Sequence, residues 1–466
     1  MAQSKALAGD SRTLPASGTS TVSLRSRTGL QVALLSLVVS LAWILLTPPL
    51  RGPDETAHLM AVMEVSTLGR LPQIHYDFRT DPSGQPMSPY ANDAVAAYAR
   101  SLGVPSGAYL VRYESMQPPL FYLAAGALAW PFSTNPEAVL YISKLTAALF
   151  GAIAIYFIWA AVRQLAPGKP ELALLVAVCG ALLPVFAYGS ASANNDTALF
   201  AVGAASFYVW LRGLRELGYD RFLLKAGALI GLGLLAKLTM LALVPAFALV
   251  VLFRALQAPG NWNARLRRLM LLTSTSAAAA LAVAGWWLVR NLLEYGEISG
   301  SAAALKWYAL HYGHADLSTP AGIANFISAT MVSFIGLFGW DATLFPTSVN
   351  LLAQAVVVTL IMLTSAALAR YFTGRNPTTK EAARDVLILA VALAGTIATY
   401  VQFNIGVSYQ PQARYLFVAL LPILLALLGG LYTFTRRSRF APFILAALPF
   451  TLLLLNALAI QMLSTG

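Results

Sequence analysis

Cysteine and charge are both scarce in this chain. Among its 466 residues there is one cysteine, Cys179, and only 11% of the residues are Asp, Glu, Lys or Arg. A single thiol inside an apolar run excludes a disulfide framework and a cysteine metal site. Soluble domains carry about 25% charged residues. This composition therefore excludes an ordinary water-soluble enzyme.

Nucleotide-binding signatures are also missing from the sequence. It contains no Gly-x-x-x-x-Gly-Lys-Ser/Thr loop, and the glycines of the apolar segments look like small-residue helix contacts. The net charge of +12 does not indicate nucleic acid, because Lys and Arg lie mostly in short loops and not in one patch with interleaved aromatics. We therefore expect neither cytoplasmic nucleotide use nor a nucleic acid partner.

Long apolar runs, in contrast, are abundant. Hydrophobic residues make up 58% of the chain, and stretches of roughly 17 to 25 residues, enough to cross a bilayer, recur along almost its whole length. We predict an all-α polytopic integral membrane protein with about 11 to 13 transmembrane helices. The predicted spans are 30–48, 138–162, 171–193, 196–211, 226–236 with 238–254, 270–290, 349–370, 386–405, 414–433 and 441–463. Two shorter segments, 118–132 and 323–340, could be spans, re-entrant pieces or interfacial helices.

The distribution of basic residues predicts the orientation. Residues 1–29 are expected to form a disordered cytoplasmic tail before an uncleaved anchor, and 30–466 a single membrane domain. Most Lys and Arg then lie in cytoplasmic loops, whereas the outer loops 51–117 and 291–345 hold few. This orientation requires that 118–132 does not cross the membrane. All the histidines (His58, His75, His311 and His314) fall in the outer loops, so we expect any chemistry to be extracytoplasmic.

The densest polar cluster lies where the first predicted span ends. If Pro53 occupies the first turn of a new helix, Asp54 and Glu55 lie near the positive end of its dipole, and His58 shares a face with Asp54. A carboxylate beside an imidazole could serve as a general base. Equally, Asp54 and Glu55 could only cap and solvate an interfacial helix.

Further polar residues lie at the ends of spans or inside them, where charges are expensive and usually functional or paired. They are Gln117, Lys144, Asn194, Asn195, Asp196, Lys237, Arg290, Asn291 and Arg414. Lys237, Arg290 and Arg414 should reach the outer surface and converge on an anion such as a lipid phosphate. Snorkelling to the phosphates of the leaflet is the alternative. Asp196 could neutralise Lys144 or Lys237, or orient a sugar hydroxyl.

The order of these motifs resembles the GT-C superfamily of membrane glycosyltransferases, which includes protein O-mannosyltransferases and lipid A aminoarabinose transferases, and within it a bacterial family of predicted membrane proteins. The resemblance covers nearly the whole chain. It rests on Pro-Asp-Glu-Thr-Ala-His at 53–58, Gln-Pro-Pro-Leu-Phe-Tyr at 117–122, Asn-Asn-Asp at 194–196, Lys237-Leu238-Thr239, Trp286 to Asn291, Ser333 to Trp340 and Gln412 to Tyr415. Two positions depart from it: Gln117, where several relatives have histidine, and Lys144, where many have arginine.

The resemblance implies a transferase that uses a polyprenyl-phosphate sugar donor and an extracytoplasmic acceptor at a bacterial inner membrane, among membrane lipids. It places the catalytic base on Asp54, with Glu55 second. The implied donor-phosphate or substrate-binding residues are Lys237, Arg290, Arg414, His58, Gln117, Asn195, Asp196, Lys144 and Tyr415.

Two other classes of protein stay open on the sequence alone. One is a transporter or flippase, although no inverted repeat with paired broken helices is visible. The other is a non-catalytic scaffold. No metal site is predicted, because the histidines and acids of the outer loops never form a tight ligand spacing. A divalent cation is the one cofactor left open.

Overall fold

The computed structural model describes residues 19–72, 89–104, 113–216, 221–257, 259–302, 305–306, 309, 313–339, 342–373 and 379–465. His75, His311 and the first 18 residues of the predicted tail lie outside these ranges.

Helices account for nearly all of the regular structure. They are α1 Thr19–Leu46, α2 Glu55–Leu68, α3 Pro89–Ser101, α4 Leu120–Ala129, α5 Pro136–Leu165, α6 Pro170–Leu182, α7 Pro184–Ser190, α8 Asp196–Gly213, α9 Phe222–Ala236, α10 Val244–Leu256, α11 Trp262–Tyr295, α12 Pro320–Ile335, α13 Thr347–Thr373, α14 Lys380–Gly406, α15 Leu420–Thr435 and α16 Ala441–Thr465. Short 3₁₀ turns cover Tyr113–Met116, Trp130–Phe132, Leu238–Leu243 and Ala413–Ala419. Strands β1 Leu337–Phe338 and β2 Thr343–Leu344 form an antiparallel hairpin. The predicted all-α polytopic membrane fold is confirmed.

By length and composition, eight helices of the described ranges can cross a membrane, or nine if the bent pair α6–α7 is one span. The eight are Arg27–Leu46, Pro136–Leu165, Leu238–Leu256, Trp262–Tyr295, Thr347–Thr373, Lys380–Gly406, Ala413–Thr435 and Ala441–Thr465. This count is below the prediction because α8 and α9 do not qualify. Helix α9 has only 15 residues, and α8 carries Asp196 in its first turn and Arg212 in its last.

The first helix extends into the predicted tail. Helix α1 begins at Thr19, inside the segment 1–29 that the sequence predicts as a tail. Packing is close at Gly29, where a Cβ would lie 2.6 Å from the Trp159 ring, so α1 contacts α5 at this point.

The two segments whose crossing was left open form short helices. Helix α4 continues only through the turn Trp130–Phe132, and α12 has 16 residues before the β1–β2 hairpin. Both fall among the apolar helices that are shorter than a span. The Tyr188 hydroxyl of α7 joins the turn before α2 to the β1–β2 hairpin, because it bonds to both Arg51 and Gly339.

Helices α1, α4, α6 and α8 pack around α5, and α9 packs between α8 and α11. Small residues allow the closest approach: a Cβ on Gly231 would lie 2.6 Å from the Ala280 carbonyl oxygen of α11. The break between α6 and α7 bends the pair by 63°, with Pro184 at the start of α7. Asn456 of α16 donates to the Leu182 carbonyl there (2.8 Å) and accepts from the Trp43 indole (2.7 Å). Hydrogen bonds of the buried Asn456 side chain therefore stabilise the break between α6 and α7.

Candidate functional site

Asp54 occupies a tight turn between α1 and α2. Its φ of 58° is left-handed, a conformation that Asp tolerates better than most residues. The turn is compressed, because a Cβ on Gly52 would lie 2.8 Å from Ser192. Asp54 Oδ2 accepts a hydrogen bond from Arg414 Nη2 at 3.0 Å, and the carboxylate side chain is 33% exposed. The turn therefore presents this carboxylate, partly open, to a cation from the far end of the sequence.

Asp54 belongs to a group of four charges, Asp54, Asp196, Lys237 and Arg414, which we call the charge cluster. Lys237 Nζ donates to Asp196 Oδ1 at 2.5 Å, and Arg414 Nε lies 3.9 Å from Asp196 Oδ2. Asp196 opens α8, Lys237 lies in the break after α9, and Arg414 lies in the turn Ala413–Ala419. The ends of helical segments thus bring two anions and two cations together.

Tyr415 lies against both cations of the charge cluster. Its ring centroid is 5.2 Å from Lys237 Nζ and 5.1 Å from the guanidinium carbon of Arg414, within cation–π range. Its hydroxyl donates to Gln410 Oε1 at 2.7 Å and accepts from Arg414 Nη2 at 3.3 Å. Tyr415 therefore fixes the position of the cations without neutralising them.

A cavity of about 170 Å³ adjoins Asp54 and Arg414, small against the several hundred Å³ of a drug-sized pocket. It is lined by Pro53, Asp54, Val185, Tyr188, Gly189, Ser333, Leu337, Gly339, Ala342, Gln412, Ala413 and Arg414. Arg414 Nε is buried and has no hydrogen-bond partner within the described parts of the chain. The site therefore offers a carboxylate, unused guanidinium donor capacity and space beside both.

Tyr188 joins the two walls of this cavity. Its hydroxyl donates to the Arg51 carbonyl at 2.5 Å and accepts from the Gly339 amide at 2.8 Å. Its ring packs against Trp43 and Phe338. The turn that carries Asp54 is thereby tied to the β1–β2 hairpin. Sequence reasoning missed Tyr188, because one tyrosine inside a predicted span carries no distinguishing signal.

Glu55 points away from the charge cluster and is buried. Its Oε1 accepts from the Ala193 amide at 2.9 Å and lies 3.3 Å from Lys144 Nζ, while Oε2 accepts from the Gly52 amide at 3.1 Å. Lys144 is only 3% exposed. Both oxygens of Glu55 are thus engaged internally, and Lys144 is neutralised by Glu55, whereas Asp196 pairs with Lys237.

His58 lies in a second buried group. Its Nδ1 is 2.9 Å from the Tyr122 hydroxyl and 3.9 Å from Glu114 Oε2. Burial lowers the pKa of His58 to about 4 and raises the pKa of Glu114 to about 8, because each charged form loses its water. At neutral pH both groups are therefore mainly uncharged. Sequence reasoning also missed Glu114.

Gln117 and Asn195 brace the segment around Lys237. Asn195 Nδ2 lies 3.3 Å from Gln117 Oε1 and 3.3 Å from the Ala236 carbonyl, next to Lys237. Asn194 Oδ1 accepts from the Asp196 amide at 3.0 Å. The Asn-Asn-Asp motif therefore caps α8 and positions the Lys237 backbone as well as its side chain.

Arg290 does not join the charge cluster, contrary to the predicted convergence of three cations. Its Nη2 lies 2.7 Å from Glu294 Oε2 and donates to the Pro72 carbonyl at 3.1 Å, and its guanidinium stacks over Trp287. A carboxylate one turn further along the same helix provides the nearest partner. Only Lys237 and Arg414 converge. Over the described ranges no group of three or more His, Cys, Asp or Glu side chains could hold a metal ion.

Comparison with known proteins finds one matching family and several solved structures with a similar fold. The family of dolichyl-phosphate-mannose-protein mannosyltransferases matches residues 117–288, a region that includes Gln117, Lys144, Asp196 and Lys237. No curated protein sequence matches the chain.

Among solved structures, the chain resembles ArnT from Cupriavidus metallidurans. For the apo state the TM-score is 0.53 at 17% identity, covering 90% of this chain and 62% of ArnT. For the form bound to undecaprenyl phosphate it is 0.50 at 15% identity, covering 96% and 76%. The Archaeoglobus fulgidus oligosaccharyltransferase, in complex with Zn and sulfate, gives 0.48 at 15% identity, covering 92% of this chain and 53% of that enzyme.

The chain thus spans about half the length of the oligosaccharyltransferase and less than two thirds of apo ArnT. The membrane fold is shared with ArnT, and the resemblance to GT-C membrane glycosyltransferases inferred from the order of motifs is confirmed.

Proposed function

We propose that this protein is a membrane glycosyltransferase that moves a sugar from a polyprenyl-phosphate donor to a hydroxyl of an extracytoplasmic acceptor. The observation that carries the proposal is the charge cluster at the edge of a cavity, with a part-exposed carboxylate and two cations at helix ends. The mannosyltransferase family match and the fold shared with ArnT, solved with undecaprenyl phosphate bound, support the class of donor.

In the proposed reaction the acceptor hydroxyl attacks the anomeric carbon of the sugar. The new carbon–oxygen bond forms as the bond to the phosphate oxygen breaks, so the anomeric centre inverts. Asp54 takes the hydroxyl proton, and polyprenyl phosphate leaves with the bonding electron pair, stabilised by Arg414 and Lys237. Asp54 is preferred to Glu55 as the base, because both oxygens of Glu55 are already engaged and buried.

The remaining predicted residues are proposed to position this machinery. Glu55 and Lys144 tie the Asp54 turn to the segment before α8. Asn195, Gln117 and Tyr415 hold the two cations in place. His58 packs behind them against Tyr122. Arg290 is assigned no donor contact, because Glu294 and Pro72 occupy its guanidinium.

The membrane and its orientation belong to the proposal as well. The scarcity of Lys and Arg in 51–117 and 291–345 favours an outward-facing site in a bacterial inner membrane, with the N-terminus in the cytoplasm. The acceptor would then be a glycan, lipid or protein of the cell envelope. Transfer activity before and after chelation tests whether the reaction uses a divalent cation.

The experiment is a transfer assay with purified full-length protein, a radiolabelled polyprenyl-phosphate sugar and an envelope extract as acceptor. Asp54→Asn should lower the rate by about 10²-fold or more, the usual effect of losing a general base. Glu294→Gln, which breaks the ion pair of Arg290 outside the cluster, should leave the rate unchanged.

A second variant in the same assay tests the cavity. Gly189 lines the cavity, and a Cβ there would meet nothing within 4 Å, so Gly189→Leu should place apolar bulk in the cavity and reduce transfer. Full activity of both Asp54→Asn and Gly189→Leu would contradict the proposed site. Movement of the lipid-linked sugar across vesicles without release of polyprenyl phosphate would instead support a transporter.

A further inference from the structure

We propose that the phosphate of the donor displaces Asp54 from Arg414, so that the base becomes available only when the leaving group is bound. This inference rests on the proposed function and adds an order of events to it. Its starting point is the ion pair between Arg414 Nη2 and Asp54 Oδ2 at 3.0 Å.

The geometry of a single displacement separates these two side chains. The attacking and leaving oxygens lie on opposite sides of the anomeric carbon, with reacting atoms about 3–3.5 Å apart before reaction. A base in contact with the attacking hydroxyl and a guanidinium in contact with the leaving phosphate therefore have the sugar between them. Asp54 and Arg414 in direct contact represent the site before the donor binds.

Arg414 is able to exchange its partner. Its guanidinium has five donors, and Nε makes no hydrogen bond in the part of the chain that the structure describes. Asp196, at 3.9 Å, and the Tyr415 ring remain to hold the guanidinium when Asp54 leaves. The exchange therefore does not require the whole cluster to rearrange.

Exposure indicates which anion is exchanged. The Asp54 side chain is 33% exposed and that of Asp196 only 8%. The four charges are balanced as they stand, so an added phosphate must compete with a carboxylate for the cations. The more exposed carboxylate, which adjoins the cavity, is the one that water can stabilise after release. Asp54 then faces the cavity, where the acceptor hydroxyl would enter.

Binding of undecaprenyl phosphate to the purified full-length protein in detergent micelles tests this competition. If Asp54 competes with phosphate, Asp54→Asn should bind the lipid at least about fivefold more tightly than the wild type, because the competing state is removed. The same variant should lose transfer. Arg414→Gln should weaken binding whether residue 54 is Asp or Asn.

The chain offers a closely matched control. In the Arg290–Glu294 pair the side chains are 14% and 33% exposed, against 13% and 33% for Arg414–Asp54. Glu294→Gln removes the same charge and should leave binding unchanged. Asp54→Gly is a second test variant, since glycine readily adopts the left-handed backbone found at residue 54. Phosphatidylglycerol, a bilayer phosphodiester, serves as the competing source of phosphate and should show no tightening.

Unchanged or weaker binding by Asp54→Asn and Asp54→Gly would overturn the inference, as would equal tightening by Glu294→Gln or for phosphatidylglycerol. If the wild type transfers sugar and only the tightening is absent, this inference fails and the proposed function stands. If no variant binds undecaprenyl phosphate and the wild type transfers nothing, both fail.

Discussion

Glu114 is a buried carboxyl group whose burial links the stability of the protein to pH. Its Oε2 has no hydrogen-bond partner among the residues that the structure describes, and His58 lies 3.9 Å away. The unfolded chain releases the Glu114 proton near its ordinary pKa of 4.5, whereas the folded protein keeps it up to about 8. The folded state therefore loses stability as the pH rises from about 4.5 through 8.

The prediction is that Glu114→Gln removes this loss. The variant should have a thermal midpoint about 2–5 °C above that of the wild type at pH 8.5 and close to it at pH 5, as expected for a change of one to two kcal/mol in a large domain. Thermal unfolding in detergent across this pH range is the measurement. Glu216→Gln, at an exposed pair with Arg212, is the control, and a constant difference at both pH values would contradict the account.

His58 works in the opposite direction. Its pKa falls to about 4 in the folded protein, from 6.5, so protonation of the unfolded chain lowers stability as the pH falls from about 6.5 towards 4. The two buried groups together confine the highest stability to an intermediate pH.

At the scale of elements, the break between α6 and α7 determines where the cavity lies. Pro184 cannot donate to the preceding turn, so the helix bends by 63° there and α7 carries Tyr188 and Gly189 to the cavity wall. The bend leaves backbone carbonyls without helical partners, which is tolerated in an apolar surrounding only if another group satisfies them. Asn456 of α16 does this for Leu182.

Replacing Asn456 therefore tests the support of the break. Asn456→Leu should destabilise the protein by about 1–2 kcal/mol, the range of buried hydrogen bonds between membrane helices, because both the Leu182 carbonyl and the Trp43 indole lose a partner. Thr451→Val on the same helix is the control, since its hydroxyl bonds only locally to the Ala447 carbonyl. Equal unfolding free energies for the two variants would show that Asn456 does not support the break.

At the scale of the whole molecule, the orientation depends on α4 staying on one side of the membrane. Helix α4 and the turn Trp130–Phe132 are shorter than a span, so the exposed Thr134 should lie on the outer side, together with α2. Ser438, in the loop between α15 and α16, should lie in the cytoplasm with Arg436, Arg437 and Arg439.

Cysteine labelling measures this arrangement. In a Cys179→Ala background, which removes the one native thiol, Thr134→Cys should react with a membrane-impermeant maleimide in intact cells. Ser438→Cys should react only after the membrane is opened. Reaction of both positions, or of Ser438→Cys alone, in intact cells would refute the proposed orientation.

The sequence by itself determined the class of protein, the approximate helices and several members of the charge cluster. Apolar length and scarce charge are local properties, and the bilayer requires each span to satisfy its own backbone, so spans could be predicted from segments taken one at a time. Charges at the ends of such segments are costly enough to be noticed singly. Asp54, Lys237 and Arg414 were found in this way.

Only the tertiary structure decided which charges meet. Arg290 and Arg414 look alike in the sequence, yet Arg290 pairs with Glu294 on its own helix while Arg414 reaches Asp54, 360 positions away along the chain. Likewise, Lys144 pairs with Glu55 and Lys237 pairs with Asp196. Such pairings depend on how helices rotate and pack against one another, and a buried ion pair is stable only at close range with its remaining hydrogen bonds made. Tyr188 and Glu114 became visible for the same reason, since their roles arise from burial and contacts between distant segments.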